Sequence, residues 1–375
     1  MVKWQQTGLK GLKVGRWWRS PLRRFLSLLL VGLSLGLAIA ACSGSSNLTP
    51  DGKPKKVEIS LVSFAVTKEA HDAIIPKFAA KWKQEHGQDV VFYQSYGGSG
   101  SQPRAVVDGL EADVVHLALA LDVEKLVSAQ LIAPGWEQEL PNNSIVSKSV
   151  AALVTREGNP KNIQSFADLA RGDVKWITAD PKTSGVARWN FLALWNAGVK
   201  AGGSDAAATQ FVTEAYKNVP ILTRDAREAA DVFLKQEQGD AMVNYENEVL
   251  LAAQKGESSS YFIPDINVSI DNPIAVVDKI VDQRGSREVA EAFVQYLFTP
   301  EAQAEFAKVG FRPADALTVK DQTLVAPYKP VPTLSTVETY GGWATVQKKF
   351  FDNGALFDEI RRQLTAWMEG RSPHA

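Results

Sequence analysis

Alternating and helix-spaced patterns of apolar residues follow one another along most of the chain. Residues 57–63 alternate as in a strand, and residues 69–85 place apolar side chains at helical spacing. A strand at residues 89–95, a helix at 103–110 and a strand at 113–119 continue the series. Repeated strand–helix units predict an α/β protein with mixed sheets flanked by helices.

The same two periodicities predict further elements downstream. The predicted strands lie at residues 149–155, 175–179, 221–222, 239–245 and 274–281. The predicted helices lie at residues 122–129, from 165, 186–196, 203–217, 227–236, 246–254, 288–298, 300–309 and 355–368, with an aromatic helix inside 335–354. Strands and helices therefore keep alternating until a helical C-terminal part.

The N-terminal residues follow a different pattern. Seven cations and no acid occur in the first 42 residues, and an apolar run extends from Phe25 to Ala41. This order is typical of a secretory signal, and an uncleaved anchor is the alternative. The run ends in Ile39-Ala40-Ala41-Cys42, which resembles a bacterial lipobox and favours the signal.

The lipobox implies a processed and lipidated N-terminus. We expect a signal peptide at residues 1–41, lipidation of Cys42 and a flexible tether at residues 42–56. The folded part then lies in the periplasm or cell envelope, anchored by lipid to the outer face of the bacterial cytoplasmic membrane. Cys42 is the only cysteine of the sequence, so a disulfide framework is excluded.

The signal conceals the charge of the remaining chain. The whole sequence has a net charge of -1, but seven of its 41 basic residues lie in the first 42 positions. The other 34 basic residues face 42 acidic ones, which gives a net charge of -8. A chain of this charge without a basic stripe is not expected to bind nucleic acid.

A glycine-rich turn, Tyr96-Gly97-Gly98-Ser99-Gly100-Ser101-Gln102, joins the strand at residues 89–95 to the next helix. Glycine lets backbone N–H groups converge, and a helix N-terminus adds unpaired donors and a favourable dipole. The turn is a candidate anion cradle, although ordinary turns share its composition. No lysine follows the glycines as in a P-loop, and Ser101 breaks the G-x-S-x-G spacing of a nucleophile elbow.

Three further strand ends, near Ser184, Ala226 and Tyr245, bring small or polar groups to a sheet edge. Ligands of open α/β sheets bind beyond the carboxyl ends of the strands, so four such turns favour one binding site. Three cations flank these turns: Lys182, Arg188 and Arg227. They either pair with an anion or brace backbone carbonyls and face solvent, and the second interpretation is favoured.

Enzyme and metal-binding classes receive little support. The four histidines, His71, His86, His116 and His374, are scattered, and no nucleophile–base pair or metal-ligand spacing can be assembled. We interpret the first two as surface residues and the third as a core residue. Three acids form a possible metal cluster or, preferably, a surface between lobes: Asp240, Glu246 and Glu248. A ferric-ion receptor would need clustered tyrosines, histidines and acids, so neither an enzyme nor a cofactor is predicted.

Seven motifs occur in order along the chain: S-Y-G-G-S-G-S-Q at 95–102, G-L-E-A-D-V-V-H-L-A-L-A at 109–120, N-P-K at 159–161, D-P-K-T-S-G-V-A-R-W-N at 180–190, E-N-E at 246–248, F-R-P at 311–313 and G-G-W-A at 341–344. Between about Val57 and about Ile360, the chain with these motifs resembles the sulfate-binding proteins of bacterial ABC importers. The resemblance implies a two-lobed periplasmic-binding-protein fold of type II, with the ligand in the interlobe cleft.

The resemblance also implies a division of the mature chain. Residues 57–148 and 264–345 are expected to form lobe 1, and residues 149–263 lobe 2. Helices of residues 346–375 follow at the C-terminus. Crossover strands would join the two lobes.

Seven residues are implied to bind the ligand. Backbone N–H donors are expected at Ala65, Ser99, Gly185, Val186 and Ala226, and side-chain donors at Ser184 and Tyr245. Three of these positions depart from the family pattern, in which an aspartate is usual at Ala65, a glycine at Val186 and a tryptophan at Tyr245. The anion is bound mostly by uncharged donors in this family.

The implied function is a high-affinity sulfate receptor that delivers the dianion to the permease of an ABC importer. Thiosulfate or another tetrahedral oxyanion, such as molybdate, is the alternative ligand. The receptor is expected to be a monomer without enzymatic activity, cofactor or metal.

Overall fold

The computed structural model describes Gly52 and residues 54–257 and 259–370, and for residues 366–370 the backbone alone. The predicted signal peptide, Cys42 and most of the predicted tether lie outside these residues. The described residues from Lys55 onward form one compact unit. None of the helices in this part of the chain has the length and apolar composition needed to cross a bilayer.

Strands and helices alternate as the periodicity predicts. The strands are β1 (Lys56–Phe64), β2 (Asp89–Gly97), β3 (Val114–His116), β4 (Ile145–Ser149), β5 (Ala151–Thr155), β6 (Trp176–Ala179), β7 (Leu222–Thr223), β8 (Ala241–Tyr245), β9 (Ser260–Phe262), β10 (Ile266–Val268), β11 (Ile270–Val276), β12 (Arg312–Pro313) and β13 (Thr333–Ser335). The α-helices are α1 (Lys68–His86), α2 (Gln102–Val107), α3 (Ala120–Ser128), α4 (Gly185–Gly202), α5 (Asp205–Tyr216), α6 (Ala226–Leu234), α7 (Glu246–Gln254), α8 (Asp278–Arg284), α9 (Arg287–Tyr296), α10 (Pro300–Lys308), α11 (Gly342–Val346) and α12 (Leu356–Gly370). Shorter helical turns lie at Ala65–Thr67, Trp136–Gln138, Pro141–Ser144, Phe166–Ala170, Ala316–Thr318, Gln322–Leu324, Val337–Tyr340 and Gln347–Phe351.

Two mixed sheets form the two lobes of the fold. The first lobe contains the six-stranded sheet in the order β12-β4-β11-β3-β1-β2, and the second lobe the five-stranded sheet in the order β7-β6-β8-β5-β9. In each sheet parallel strands are joined by helices, and antiparallel strands complete one side. The predicted two-lobed α/β fold is therefore confirmed.

The chain passes between the sheets twice. Val150 separates β4 of the first sheet from β5 of the second, and residues 263–269 separate β9 from β11. The carbonyl of Val150 accepts a hydrogen bond from the N–H of Glu246, so the crossover is held by the start of α7. The lobe boundaries inferred from the sequence stay predictions.

Two predicted strands are wrong in extent. The run at 149–155 is divided by Val150 between two sheets, and the run at 274–281 leaves the sheet after Val276. Asp278 begins α8, and its carboxylate accepts the N–H of Ala133 at 2.7 Å. Val281, which continues the apolar run, is buried as part of a helix face rather than a strand. A short apolar run does not distinguish these two structures.

The C-terminal residues pack on the second lobe. Phe191 of α4 contacts Phe350, Phe351 and Phe357 with ring centroids 5.2–6.2 Å apart. Such aromatic contacts bury a large apolar area. The end of the chain therefore supports the helix whose first residues border the site described next.

Candidate functional site

All seven residues predicted to bind a ligand line one small cavity between the lobes. The cavity contains about 180 Å³ of space not filled by protein atoms. Six neighbours that the prediction did not include complete its wall: Phe64, Val66, Gly97, Gly98, Ala118 and Asp225. Each lies near a predicted residue or near the end of a predicted strand. The strand ends of the sequence could therefore have indicated these six residues as well.

The cavity wall is built from the N-termini of helical segments. Ala65 begins a 3-10 turn after β1, Gly185 begins α4 and Ala226 begins α6. Tyr245 ends β8 and directly precedes α7. The first N–H groups of a helix have no partner within it and carry its positive partial charge. Elements from both lobes therefore direct donors and positive dipoles toward the same space.

Ser99 is held through its side chain. Its hydroxyl donates to a carboxylate oxygen of Asp122 at 2.7 Å and accepts the N–H of Ala118 at 2.9 Å. Within the described residues, the backbone N–H of Ser99 donates no hydrogen bond. The N–H is therefore the group that Ser99 can offer to a ligand.

Ser184 is the N-cap residue of α4, with φ -118° and ψ 132°. Its N–H donates to the carbonyl of Asp180 at 2.9 Å, but its hydroxyl makes no capping hydrogen bond. An N-cap serine ordinarily accepts an N–H from the first turn of its helix. Ser204, the N-cap of the next helix, does so by accepting the N–H of Ala207 at 3.2 Å. The hydroxyl of Ser184 is thus free to face the cavity.

Tyr245 adds a second hydroxyl. The residue is only 2% exposed, and its ring packs edge-on against Phe64 at 6.2 Å. Burial, together with the negative charges of Asp122 and Glu248, raises the pKa of Tyr245 well above its usual range. The phenol consequently remains protonated and can donate a hydrogen bond.

No cation belongs to the described wall of the cavity; its one charged residue is Asp225. The carboxylate of Asp225 accepts the N–H of Glu228 at 2.9 Å and the Nε of Arg224 at 3.1 Å. Each oxygen therefore already accepts one hydrogen bond, one from the start of α6 and one from a surface arginine. Any anion in this space would be bound by uncharged donors.

The flanking cations are committed elsewhere. The Nε of Arg188 donates to the carbonyl of Pro181 at 2.8 Å, and Lys182 donates to the carbonyl of Phe351 at 2.8 Å. The favoured interpretation, that these cations brace backbone carbonyls, is confirmed for both. Arg227 instead forms ion pairs, as described below.

Comparison with known proteins agrees with this geometry. The family model described as bacterial extracellular solute-binding protein matches residues 62–312. The chain belongs to this family. A sulfate-binding protein from Synechococcus elongatus is 54% identical over 91% of this chain and 97% of its own length. A thiosulfate-binding protein from Pseudomonas aeruginosa is 34% identical over 89% of this chain and 97% of its own length.

A solved structure shares the fold. The sulfate-binding protein SubI from Mycobacterium tuberculosis superposes with a TM-score of 0.72 at 34% identity. The match covers 79% of this chain and 100% of SubI. The lobes of this solute-binding protein are thus those of a known receptor fold.

The buried carboxylate of Asp122 contacts residues of both lobes next to the cavity. Asp122 is fully buried and contacts, besides Ser99, the ammonium of Lys125 at 2.6 Å and the guanidinium of Arg188 at 3.8 Å. Ser99 and Lys125 belong to the first lobe and Arg188 to the second. The sequence offered no signal for this role, because Asp122 reads as an ordinary acid at the start of a helix.

The lobes also meet through an ion pair beside the cavity. Arg227 of α6 donates to both carboxylate oxygens of Glu69 on α1, at 2.7 and 2.9 Å. On its own lobe it donates to Glu248 at 2.8 and 3.0 Å. Burial alone would raise the pKa of Glu69, but the hydrogen bonds and charge of Arg227 outweigh it and lower the pKa to about 2.

Two further contacts close the lobes around the cavity. The N–H of Gly100 donates to the carbonyl of Thr183 at 3.0 Å, and the indole N–H of Trp189 donates to the carbonyl of Ala118 at 2.9 Å. Because each of these pairs crosses from one lobe to the other, the two lobes are closed against each other around the cavity.

Within the part of the chain that the structure describes, His71, His86 and His116 form no catalytic arrangement with a nucleophile. His71 and His116 are both fully buried, with 3.1 Å between His71 Nε2 and His116 Nδ1. The surface assignment of His71 is wrong, because this part of α1 packs under Tyr96, whose hydroxyl lies 3.1 Å from His71 Nδ1. His86 is half-buried and stacks on Trp82 at 3.8 Å.

The three acids considered as a metal cluster are engaged separately. Glu246 accepts the Nε of Arg312 at 2.6 Å, Asp240 accepts the N–H of Lys175 at 2.8 Å, and Glu248 binds Arg227. Over the described ranges, no three histidine, cysteine, aspartate or glutamate side chains are grouped to hold a metal ion.

Proposed function

We propose that this protein is a receptor that binds sulfate in the interlobe cavity and delivers it to the permease of an ABC importer. The observation that carries the proposal is the convergence, on one cavity, of N–H donors from both lobes and of two uncommitted hydroxyls from the second lobe. Sulfate is fully ionised at neutral pH, so all of its oxygens accept hydrogen bonds. A cavity lined by hydrogen-bond donors is therefore chemically complementary to such an anion.

The absence of a cation from the described cavity wall is consistent with a dianion. Helix N-termini and aligned peptide dipoles bind anions without a counter-charge, and their hydrogen bonds are stronger away from water. The negatively charged mature chain would gain nothing from its overall charge. The relatives called sulfate-binding proteins support sulfate as the ligand of this chain.

Within this proposal, the seven wall residues have distinct roles. Five would donate through backbone N–H groups and two through hydroxyls, as the family resemblance implies: Ala65, Ser99, Gly185, Val186, Ala226, Ser184 and Tyr245. The hydrogen bonds of Ser99 favour its backbone role, and the missing capping bond of Ser184 favours its side-chain role.

The second candidate is thiosulfate, because a relative of that name also aligns with most of the chain. Its lower identity makes sulfate the better proposal. Molybdate, which shares the tetrahedral shape, remains the third ligand to test. We further infer that the protein is a monomer, is not an enzyme, and is anchored by lipid at Cys42.

A thermal-shift panel tests the proposal. Ligand that binds only the folded state raises the melting temperature, and the rise grows with the logarithm of the ratio of ligand concentration to Kd. Ligand-free protein should be stabilised most by sulfate, less by thiosulfate and molybdate, and least by phosphate at equal concentration. A larger stabilisation by thiosulfate or molybdate than by sulfate would mean that this anion, and not sulfate, is the ligand. No response to any oxyanion would refute the anion receptor.

A further inference from the structure

Gly98 lies where the first lobe meets two turns of the second lobe. A Cβ atom at this position would lie 2.5 Å from the carbonyl oxygen of Thr183 and 3.2 Å from that of Arg224. Thr183 directly precedes Ser184, and Arg224 lies two residues before Ala226. Both obstacles are backbone atoms, so rotation of a side chain would not relieve the contact. A side chain at Gly98 would push away both turns that carry donors of the second lobe.

The backbone conformation does not itself require glycine here. The φ angle of Gly98 lies outside the left-handed region, so alanine could adopt it without strain. The three nearest atoms to a Cβ at Gly98 all belong to the second lobe: Thr183 O, Arg224 O and Thr183 C. A side chain at Gly98 is therefore excluded by the close approach of the second lobe and not by the backbone conformation.

Two other glycines also lie at the contact between the lobes. A Cβ at Gly100 would lie 3.1 Å from the carbonyl oxygen of Thr183, the same oxygen that its own N–H binds. From the opposite side, a Cβ at Gly185 would lie 2.5 Å from the Cβ of Ala118. Each lobe thus places a glycine where the other lobe leaves no room for a side chain.

We propose that Gly98 is a positioning residue of the binding site. Its lack of a side chain lets the carbonyls of Thr183 and Arg224 approach the first lobe, which places the Ser184 hydroxyl and the N–H of Ala226 against the ligand. The proposal rests on the proposed anion receptor. It assigns to the glycine-rich turn a task beyond donating hydrogen bonds, since the turn also sets how closely the lobes shut.

Three glycine-to-alanine variants test the proposal with a severe contact, a milder contact and no contact of the added Cβ. Gly98→Ala introduces the severe contact and Gly100→Ala a milder one. Gly172→Ala is the matched control, because it has open space within 4 Å and a φ outside the left-handed region. Each variant is compared with wild type by calorimetric titration with sulfate, by small-angle scattering with and without saturating sulfate, and by melting without ligand.

Gly98→Ala should keep the ligand-free melting temperature but should need more sulfate than wild type to show the decrease in radius of gyration. If its closed fraction falls to a tenth, the apparent Kd rises about tenfold. Gly100→Ala should give a smaller rise, and Gly172→Ala none. A purely structural role would instead lower the ligand-free melting temperature at unchanged Kd.

The comparison separates the two claims. Wild type that binds no oxyanion of the panel refutes the receptor itself and with it the positioning role. Wild type that binds and closes while Gly98→Ala does so equally well refutes the positioning role alone. If thiosulfate or molybdate is the anion that binds, the same series is measured with that anion.

Discussion

Ser184 and Ser204 occupy the same position, the N-cap, in two consecutive helices, but only Ser204 caps its helix. Ser184→Ala should remove a donor to a charged acceptor, which contributes about 1.5–3 kcal/mol, so the sulfate Kd should rise about ten- to a hundredfold. Calorimetry of the purified variant measures this rise. Its ligand-free melting temperature should be unchanged.

Ser204→Ala is the matched control for that variant. Loss of its capping bond should cost about 1 kcal/mol of folding stability and leave the sulfate Kd unaltered. The reverse pattern, with Ser204→Ala weakening sulfate and Ser184→Ala only lowering stability, would exclude Ser184 as a ligand residue. Ser99→Ala is less informative, because it also deprives buried Asp122 of a hydrogen bond.

Acid should destabilise the fold through its buried histidines. Burial lowers the pKa of His71 to about 3, whereas an unfolded histidine has a pKa of about 6.5. Between these values the unfolded chain binds the additional proton, so stability falls as the pH falls, by about 1.4 kcal/mol per pH unit. Denaturant unfolding at pH 7, 6 and 5 measures this slope.

The variant His71→Gln removes the buried imidazole and should make stability less dependent on pH over the same range. It should be less stable than wild type at pH 7, because the contacts with Tyr96 and His116 are altered. An unchanged slope in the variant would mean that His71 does not account for acid sensitivity.

Among the elements, α1 and α6 come from different lobes and are joined by Glu69 and Arg227. Glu69→Gln should weaken the closed arrangement by about 1 kcal/mol, which corresponds to an approximately fivefold higher sulfate Kd. Titration of the variant at low ionic strength measures the effect.

The contrasting variant is Glu248→Gln, which alters the same arginine but within one lobe. It should lower the ligand-free melting temperature, because Glu248 is buried and both of its oxygens bind Arg227. If both variants change only stability, the pair between the lobes has no part in closure.

Most elements could be predicted because their periodicity is local. The helix at 246–254 and the strand at 89–95 follow from spacing and flanking turns, and the structure has both. The change of sheet at Val150 could not be predicted, since one apolar run supplies strands to two sheets. The pairing of β10 with β13 joins segments that are distant in sequence, which no local pattern reports.

The candidate site was predictable to a similar degree. The position of the cavity follows from the turns at strand ends, because the direction of the strands brings these turns to the same edge of the sheets. Asp122 and the close approach at Gly98 depend on contacts between lobes, and these require coordinates. The resemblance supplied the choice between backbone and side-chain donors, which composition alone leaves open.

At the scale of the whole molecule, the predicted signal peptide and lipidated Cys42 imply that the receptor is anchored to the membrane. Cys42→Ala should leave the fold intact, since the compact described unit begins near Lys55, but should abolish lipidation and misprocess or release the protein. Mass spectrometry of the mature N-terminus measures the modification. Ser43→Ala, the adjacent control, should remain lipidated. A mature wild type with an unmodified thiol at Cys42 would contradict the anchor.

The two lobes together should prefer sulfate to phosphate at neutral pH. Phosphate near pH 7 keeps at least one proton, which needs an acceptor, whereas the cavity wall offers mainly donors. Each oxygen of Asp225 already accepts one hydrogen bond, and Ala65 offers no carboxylate. An unpaired buried hydroxyl costs about 1–3 kcal/mol, which corresponds to discrimination of about fivefold to 150-fold.

Competition calorimetry on ligand-free protein at pH 7 tests the central claim most directly, with sulfate titrated in the absence and presence of phosphate. We predict one sulfate per chain, with phosphate weakening the apparent sulfate affinity only at concentrations far above those at which sulfate itself saturates the site. Equal competition by phosphate, or no heat of sulfate binding, would contradict a donor-lined sulfate site between the lobes.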